Sequence, residues 1–392
     1  MSDRYTLDLP DVGITFIAER LRRDRHELIG ELTVRCTLPG AKAVNGYLST
    51  GDFNFSSVRA RQDRARLLTQ RCAVDGIDWF GLVEEVCQRV FQAEREGEPD
   101  VDLRTLPRPQ PDDEIRVQGL SFPRRHPSIL FGDGGAAKSY TALFIAGILA
   151  HKGLSVALFD WELCGEDHRD RLERLFGPDS MPVIRYALCE RPLTAEVDRL
   201  RRIVRQRKID YAIYDSVAPA CDGPPEAAEV ASRYFRAVRE IGAGIGSLHI
   251  AHVNKTGDTS EYKPFGSTFW HNLARCTWFV KAVEQAGNDA TLTLGFYNRK
   301  SNLGAIQPPV SYLVRFGALT TFTTVDIADS PELAGKLTIK QRMYQLLKRG
   351  AMSISDIATE LDASYDTVSK SVHRNPRHFV VLEGGKVGLR TT

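Results

Sequence analysis

The chain has 392 residues, 42% hydrophobic and 26% charged, a soluble globular composition long enough for two or three domains with sizeable cores. Its net charge is only +2, so the protein as a whole is no polycation and any nucleic-acid contact must come from local patches. Seven cysteines (Cys36, Cys72, Cys87, Cys164, Cys189, Cys221, Cys276) lack C-x-x-C spacing, which argues against a zinc site or disulfide framework and for a reducing cytoplasm. The opening MSDRYTLDLPDVG has no basic-then-apolar signal pattern, and the longest apolar run, Ala142 to Ala150, is too short to span a bilayer. Neither secretion nor membrane insertion is expected.

Residues 1–104 read as a small α+β domain. Ile14, Phe16 and Ala18 alternate with polar residues, as do Leu28, Gly30, Leu32 and Val34, predicting a β-hairpin. Val58 to Cys72 and Trp79 to Ala93 carry helical spacing. Arg59, Arg61, Arg64, Arg66 and Arg71 form either a phosphate-binding patch or, diluted by Asp63, a solvated helix face. Prolines and charges then crowd together in EREGEPD and LPRPQPDDE, so residues 105–118 are expected to be a linker.

The third region, 119–325, is α/β. The apolar Ile129, Leu130 and Phe131 break into Gly132, Asp133, Gly134, Gly135, Ala136 and Ala137, and Lys138, Ser139 and Tyr140 open a long apolar segment. Strand, glycine-rich loop and helix in this order is a P-loop: backbone N–H groups converge on phosphates, the lysine reaches the β and γ phosphates, and the hydroxyl holds Mg²⁺. One departure from the pattern is Ala137, which stands where the last glycine belongs. Further strands are predicted at 155–160, 209–215, 247–253, 277–282, 291–297 and 310–316, with helices at 167–176, 194–207 and 227–241. That alternation implies right-handed βαβ units and a mainly parallel sheet, antiparallel at its end, with ligands at the carboxyl ends of the strands. Asp215, closing one strand, is placed to orient a Mg²⁺ shell, and Glu162, after another, to polarise the attacking water, with Asp160 as its rival.

GDGGAAKS, FDWE, YAIYDS, HIAHVNK and YNRKSNLG, in that order between Phe122 and about Phe322, resemble the RecA-like ATPases and, more narrowly, the hexameric helicases of the DnaB and RepA type. The resemblance implies an ATP site at subunit interfaces, built from Lys138, Ser139, Glu162 as catalytic base and Asp215 as Walker B acid. It implies that His252 senses the γ-phosphate. It also implies that Arg299 or Lys300 reaches a neighbouring subunit's γ-phosphate, although the family's frequent Lys-x-Arg is here Lys300, Ser301, Asn302; a basic turn is the alternative. Residues 254–269 would line a ring channel where Lys255 and Lys263 meet single-stranded DNA, or form an ordinary exposed loop.

After a spacer at 326–336, residues 337–392 carry three helical stretches and a hairpin around Glu383, Gly384 and Gly385, the pattern of a winged helix-turn-helix. From Lys336 onward ten lysines and arginines face five acids. A recognition helix over 364–373 would offer Ser364, Tyr365, Thr367, Lys370 and Arg374 to DNA, with Arg377 and Lys386 on the wing; docking a partner protein is the alternative. The expected whole is a cytoplasmic, Mg²⁺-dependent, hexameric ring ATPase translocating on DNA as a RepA-type helicase in the replication of a mobile element. A nucleotide-switched DNA-binding regulator and a filament-forming recombination mediator are the competing readings.

Overall fold

The computed structural model describes residues 4–97, 100–108, 114–253, 268–284, 290–302, 304–327, 330–334, 337–376 and 378–390. The chain divides into two compact units, Met1–Arg108 and Pro109–Thr392.

In the first unit, β1 (Arg4–Leu9), β2 (Ile14–Asp24), β3 (Glu27–Cys36) and β4 (Tyr47–Asn54) form an antiparallel sheet in that order. The alternating apolar side chains of β2 and β3 bury Phe16, Leu32 and Val34 against α1 (Val58–Arg71) and α2 (Trp79–Glu96). Both helices begin on a side-chain cap: Ser57 accepts from the Ala60 amide at 3.2 Å and Asp78 from the Gly81 amide at 3.0 Å. The α1 arginines separate by direction. Arg64 donates to Leu32 O, the Ser49 hydroxyl and Asp52 O and lies over the Phe53 ring, Arg71 donates to Leu48 O, and Arg61 pairs with Glu84. Arg59 and Arg66 face solvent beside Asp63. The series is therefore largely internal scaffolding with a solvated edge, and no continuous phosphate patch forms on this helix.

The second unit opens with a hairpin, β5 (Glu114–Val117) and β6 (Leu120–Pro123), so the expected linker is shorter at its carboxyl end. Ile115 and Val117 are buried, and their alternation was masked in the sequence by the prolines and acids before them. The core follows: β7 (Pro127–Gly132), α3 (Lys138–His151), β8 (Val156–Asp160), α4 (Gly165–Phe176), β9 (Ile184–Leu188), α5 (Leu193–Arg207), β10 (Tyr211–Asp215), α6 (Val217–Ala220), α7 (Ala228–Ile241) and β11 (Gly246–His252). It is completed by α8 (Thr268–Leu273), β12 (Cys276–Glu284), β13 (Thr291–Ser301), β14 (Val310–Arg315) and β15 (Thr321–Val325).

These strands make one nine-stranded sheet in the order β15-β14-β13-β12-β7-β11-β10-β8-β9. From β12 to β9 all neighbours are parallel, and β13, β14 and β15 add on antiparallel. The inner parallel strands β7, β8, β10 and β11 are buried on both faces, which is why they read as continuous apolar runs. Period-two geometry sends Phe131 and Phe159 into the core on one face and Leu130 and Leu158 into the core on the other. Gly132 is needed where β7 meets β12: a Cβ there would come within 2.3 Å of Val280 O.

Beyond the sheet come α9 (Pro331–Ala334), α10 (Ile339–Leu347), β16 (Met352–Ser353), α11 (Ile354–Glu360), α12 (Tyr365–Arg374), β17 (Phe379–Val381) and β18 (Lys386–Leu389). Helices α10, α11 and α12 share a core (Met343, Ile357, Val368, Val387) with a sheet of order β16-β18-β17.

Candidate functional site

The P-loop occupies residues 132–139 between β7 and α3, at the carboxyl ends of the parallel strands. Lys138 is 6% exposed, and its ammonium donates to Gly132 O at 3.1 Å and Asp133 O at 2.7 Å. Burial lowers its pKa, opposed by the charges of Glu162, Asp215 and Asp133. His252, ending β11, pairs in register with Gly132 and brings Nδ1 to 3.4 Å from the Lys138 ammonium. Ala137 adopts φ 47° and ψ 33°, the left-handed region that favours glycine. The departure seen in the sequence is thus a strained residue in a glycine conformation.

Asp160 and Asp215 end neighbouring strands and are partners in register. Their environments push them apart. Asp160 is fully buried, which opposes its ionisation, yet His168 Nε2 at 3.2 Å and the amides of Glu162 and Leu163 at 3.0 and 3.2 Å hold it below the usual carboxylate range. Tyr186 adds a hydrogen bond at 3.1 Å. Asp160 is therefore committed to its own chain, which removes it as a rival base. Asp215 is pushed up to about 6 by burial; Ser139 pulls against this and the Glu162 charge adds to it. Its Oδ1 is buried without a hydrogen-bond partner among the described residues.

That orphaned oxygen beside the Ser139 hydroxyl fits a Mg²⁺ ion, which binds through one or two protein oxygens and takes its other ligands from phosphates and water. When bound, Mg²⁺ would neutralise charge on the β and γ phosphates. Among the described residues, no group of three or more His, Cys, Asp and Glu is arranged to hold a metal by itself.

Glu162 faces a cavity of about 380 Å³ that Gly135, Ala136, Ala137, Lys138, Ser139, Tyr140, Arg171, Ile250, His252 and Phe316 also line. The Ser216 hydroxyl donates to Glu162 Oε1 at 2.5 Å, fixing the carboxylate. Tyr140 stands edge-on to Phe316 with centroids 5.5 Å apart, and the Arg171 guanidinium sits 5.1 Å from the Tyr140 centroid. An aromatic and cationic wall beside a phosphate loop suits a nucleotide base. Ser216, Arg171 and Phe316 went unassigned in the sequence; only Ser216, adjoining Asp215, carried a local signal.

Arg299 and Lys300 lie elsewhere. They belong to β13, not to a turn, and Lys300 is level with Thr277 and so with Ile129, roughly 10 Å along the strands from Gly132. Arg299 is the extra residue of a bulge against β12, and its guanidinium lies over Phe279 and Tyr297. The Lys300 ammonium donates to His271 O and Asn272 O, both at 2.8 Å. Neither cation serves its own P-loop.

Lys255, Lys263 and Arg377 lie outside the described residues. In α12, Ser364 is the N-cap, accepting from the Thr367 amide at 3.2 Å and meeting the Thr367 hydroxyl at 2.8 Å, so these two hydroxyls stabilise the helix start. Tyr365 is 56% exposed, Arg374 is exposed, and Lys370 pairs with Asp366 at 3.0 Å. No helix among the described residues is long and apolar enough to cross a membrane.

Fold and site together define an α/β core with a P-loop at the carboxyl ends of a mainly parallel sheet. Among solved structures it is similar to a KaiC-like protein from Pyrococcus horikoshii OT3, at 13% identity and a TM-score of 0.40 over 52% of this chain and 91% of that one. It is also similar to the flagellar accessory protein FlaH from Methanocaldococcus jannaschii, at 12% identity and a TM-score of 0.40 over 54% of this chain and 99% of that one. No protein-family model matches the chain, and no curated protein does.

Proposed function

We propose that the chain is a Mg²⁺-dependent, RecA-like P-loop ATPase that assembles into a ring, as a hexamer, and translocates on DNA in the manner of the RepA and DnaB helicases. The observation that carries the reading is the convergence of Lys138, Ser139 and Glu162 on one cavity beside the Tyr140 and Arg171 wall, with Asp215 buried behind it against Ser139. Lys138 binds the β and γ phosphates, Ser139 and Asp215 hold Mg²⁺, and Tyr140 meets the base. Glu162, held by Ser216, orients and polarises the attacking water. His252, next to the Lys138 ammonium, reports the state of the γ-phosphate.

In this reading Arg299 or Lys300, which lie away from their own P-loop, reaches the γ-phosphate of a neighbouring subunit. Lys255 and Lys263 face single-stranded DNA in the channel. Residues 337–392 act as a winged helix whose recognition helix presents Ser364, Tyr365, Thr367, Lys370 and Arg374 to DNA. The test is ATP hydrolysis with and without single-stranded DNA, together with unwinding of a forked duplex. Strong stimulation and ATP-driven unwinding are expected; tight nucleotide binding with negligible turnover, unchanged by DNA, overturns the motor. A second reading, a nucleotide-switched DNA-binding regulator, draws on one feature: Ala137 puts a strained methyl-bearing residue in the cavity wall.

A further inference from the structure

The end of the large sheet opposite the P-loop carries a second concentration of charge. Arg124 and Arg125 lie in the turn before β7, Arg207 and Lys208 at the end of α5 before β10, Arg239 in the last turn of α7 before β11, and Arg275 directly before β12. All six are exposed. The acids in the same turns are Asp210, whose carboxylate already accepts the Ser155 amide at 2.8 Å, and Glu240.

Register places these cations in one row. Tyr211 is level with Gly246, Ser247 with Pro127, and Ser128 with Cys276, so the strand starts of β10, β11, β7 and β12 are side by side. The turns touch: a Cβ on Gly246 would come within 2.5 Å of Arg124 O, and the Arg275 amide donates to Pro127 O at 2.9 Å. Basic residues in the last turns of α5 and α7 complement the helix dipoles, which accounts for Arg207 and Arg239. It does not account for Arg124, which lies between β6 and β7, while Arg275 stands two residues beyond the short helix α8.

We infer that this amino-terminal rim is a binding surface for the phosphate backbone of a nucleic acid, separate from the nucleotide cavity. Four adjacent strands at about 4.8 Å spacing give a row of roughly 14 Å, the length of about four nucleotides at 3.4 Å per residue of one strand. The long exposed side chains of the rim are mainly cationic. None of the large exposed apolar side chains lies in these four turns, whereas a protein partner or a membrane surface needs apolar anchors. Backbone phosphates need only spaced cations, and arginine holds them bidentately.

The inference rests on nucleic acid being the partner, and its test separates the two. Binding of a 20-nucleotide single strand and of a 20-base-pair duplex is followed by anisotropy across a salt series, without ATP, for the wild type and for the triple variant Arg124→Ala, Arg207→Ala, Arg239→Ala. The slope of log affinity against log salt is expected to fall by about 2 to 3 on duplex, near 0.9 per lost contact, with about 10-fold or greater weakening. The triple variant with lysine at the same positions keeps its charge and is expected to bind like the wild type. Unchanged slope and affinity in the alanine variant overturn the rim while leaving DNA binding elsewhere standing. A wild type without affinity for either DNA overturns both readings. Polyglutamate of equal charge competing as well as DNA overturns the assignment to nucleic acid.

Discussion

Replacing Asp215 by asparagine is expected to stabilise the nucleotide-free protein at neutral and alkaline pH while destroying its Mg²⁺-dependent function. Burial holds the Asp215 proton to about pH 6, against an ordinary value of 3.8, so the folded chain keeps a proton that the unfolded chain releases over that interval. Wild-type stability from this group therefore falls as pH rises from about 4 to about 6. Above that range the whole loss is present, about 3 kcal/mol at 1.36 kcal/mol per pH unit. Asparagine cannot ionise and escapes the loss. The assay is urea unfolding of both proteins from pH 4.5 to 8, read by fluorescence, with Trp161, Trp270 and Trp278 reporting on the second unit and Trp79 on the first. The stability difference in the second unit should open toward the variant as pH rises and level off above about pH 7. A difference that stays flat across the series would refute the claim that Asp215 bears an uncompensated buried charge. Adding Mg²⁺ and ATP should favour the wild type alone, since binding stabilises only the protein that binds.

Ala137→Gly relieves a left-handed alanine and should raise stability by about 1 kcal/mol while tightening nucleotide binding; weaker binding in calorimetry would contradict the strain argument. Ser216→Ala removes the hydroxyl that fixes Glu162, so kcat should fall about 10- to 100-fold with little change in nucleotide affinity, and equal losses in both would point to a folding defect instead. Tyr140→Ala should weaken ATP by about 1 kcal/mol and leave tripolyphosphate unaffected; equal effects on the two ligands would remove Tyr140 from the base subsite.

The parts of this account that the sequence made legible are the ones encoded locally. Apolar runs bounded by turns placed β7, β8, β10 and β11 to within a residue or two, because strands buried on both faces must be continuously apolar. The glycine-rich loop and the carboxylates Glu162 and Asp215 followed from where those runs end. The edge strands β1, β4 and β9 were not foreseen: Val183, Tyr186 and Leu188 at the β9 edge are exposed, so no alternation marks them. Nor could spacing show that Asp160 is consumed by His168, Tyr186 and two amides while Glu162 is free to face the cavity. The Tyr140, Arg171 and Phe316 wall joins α3, α4 and the end of β14, and only the assembled sheet brings them together.

The most direct measurement is ATP binding and turnover by the wild type, Lys138→Ala and Glu162→Gln, side by side. The account predicts that the wild type hydrolyses ATP, that Glu162→Gln binds it with near wild-type affinity but turns over at least about 100-fold more slowly, and that Lys138→Ala does neither. A Lys138→Ala protein with full ATPase activity, or a Glu162→Gln protein that turns over normally, would contradict the proposed site.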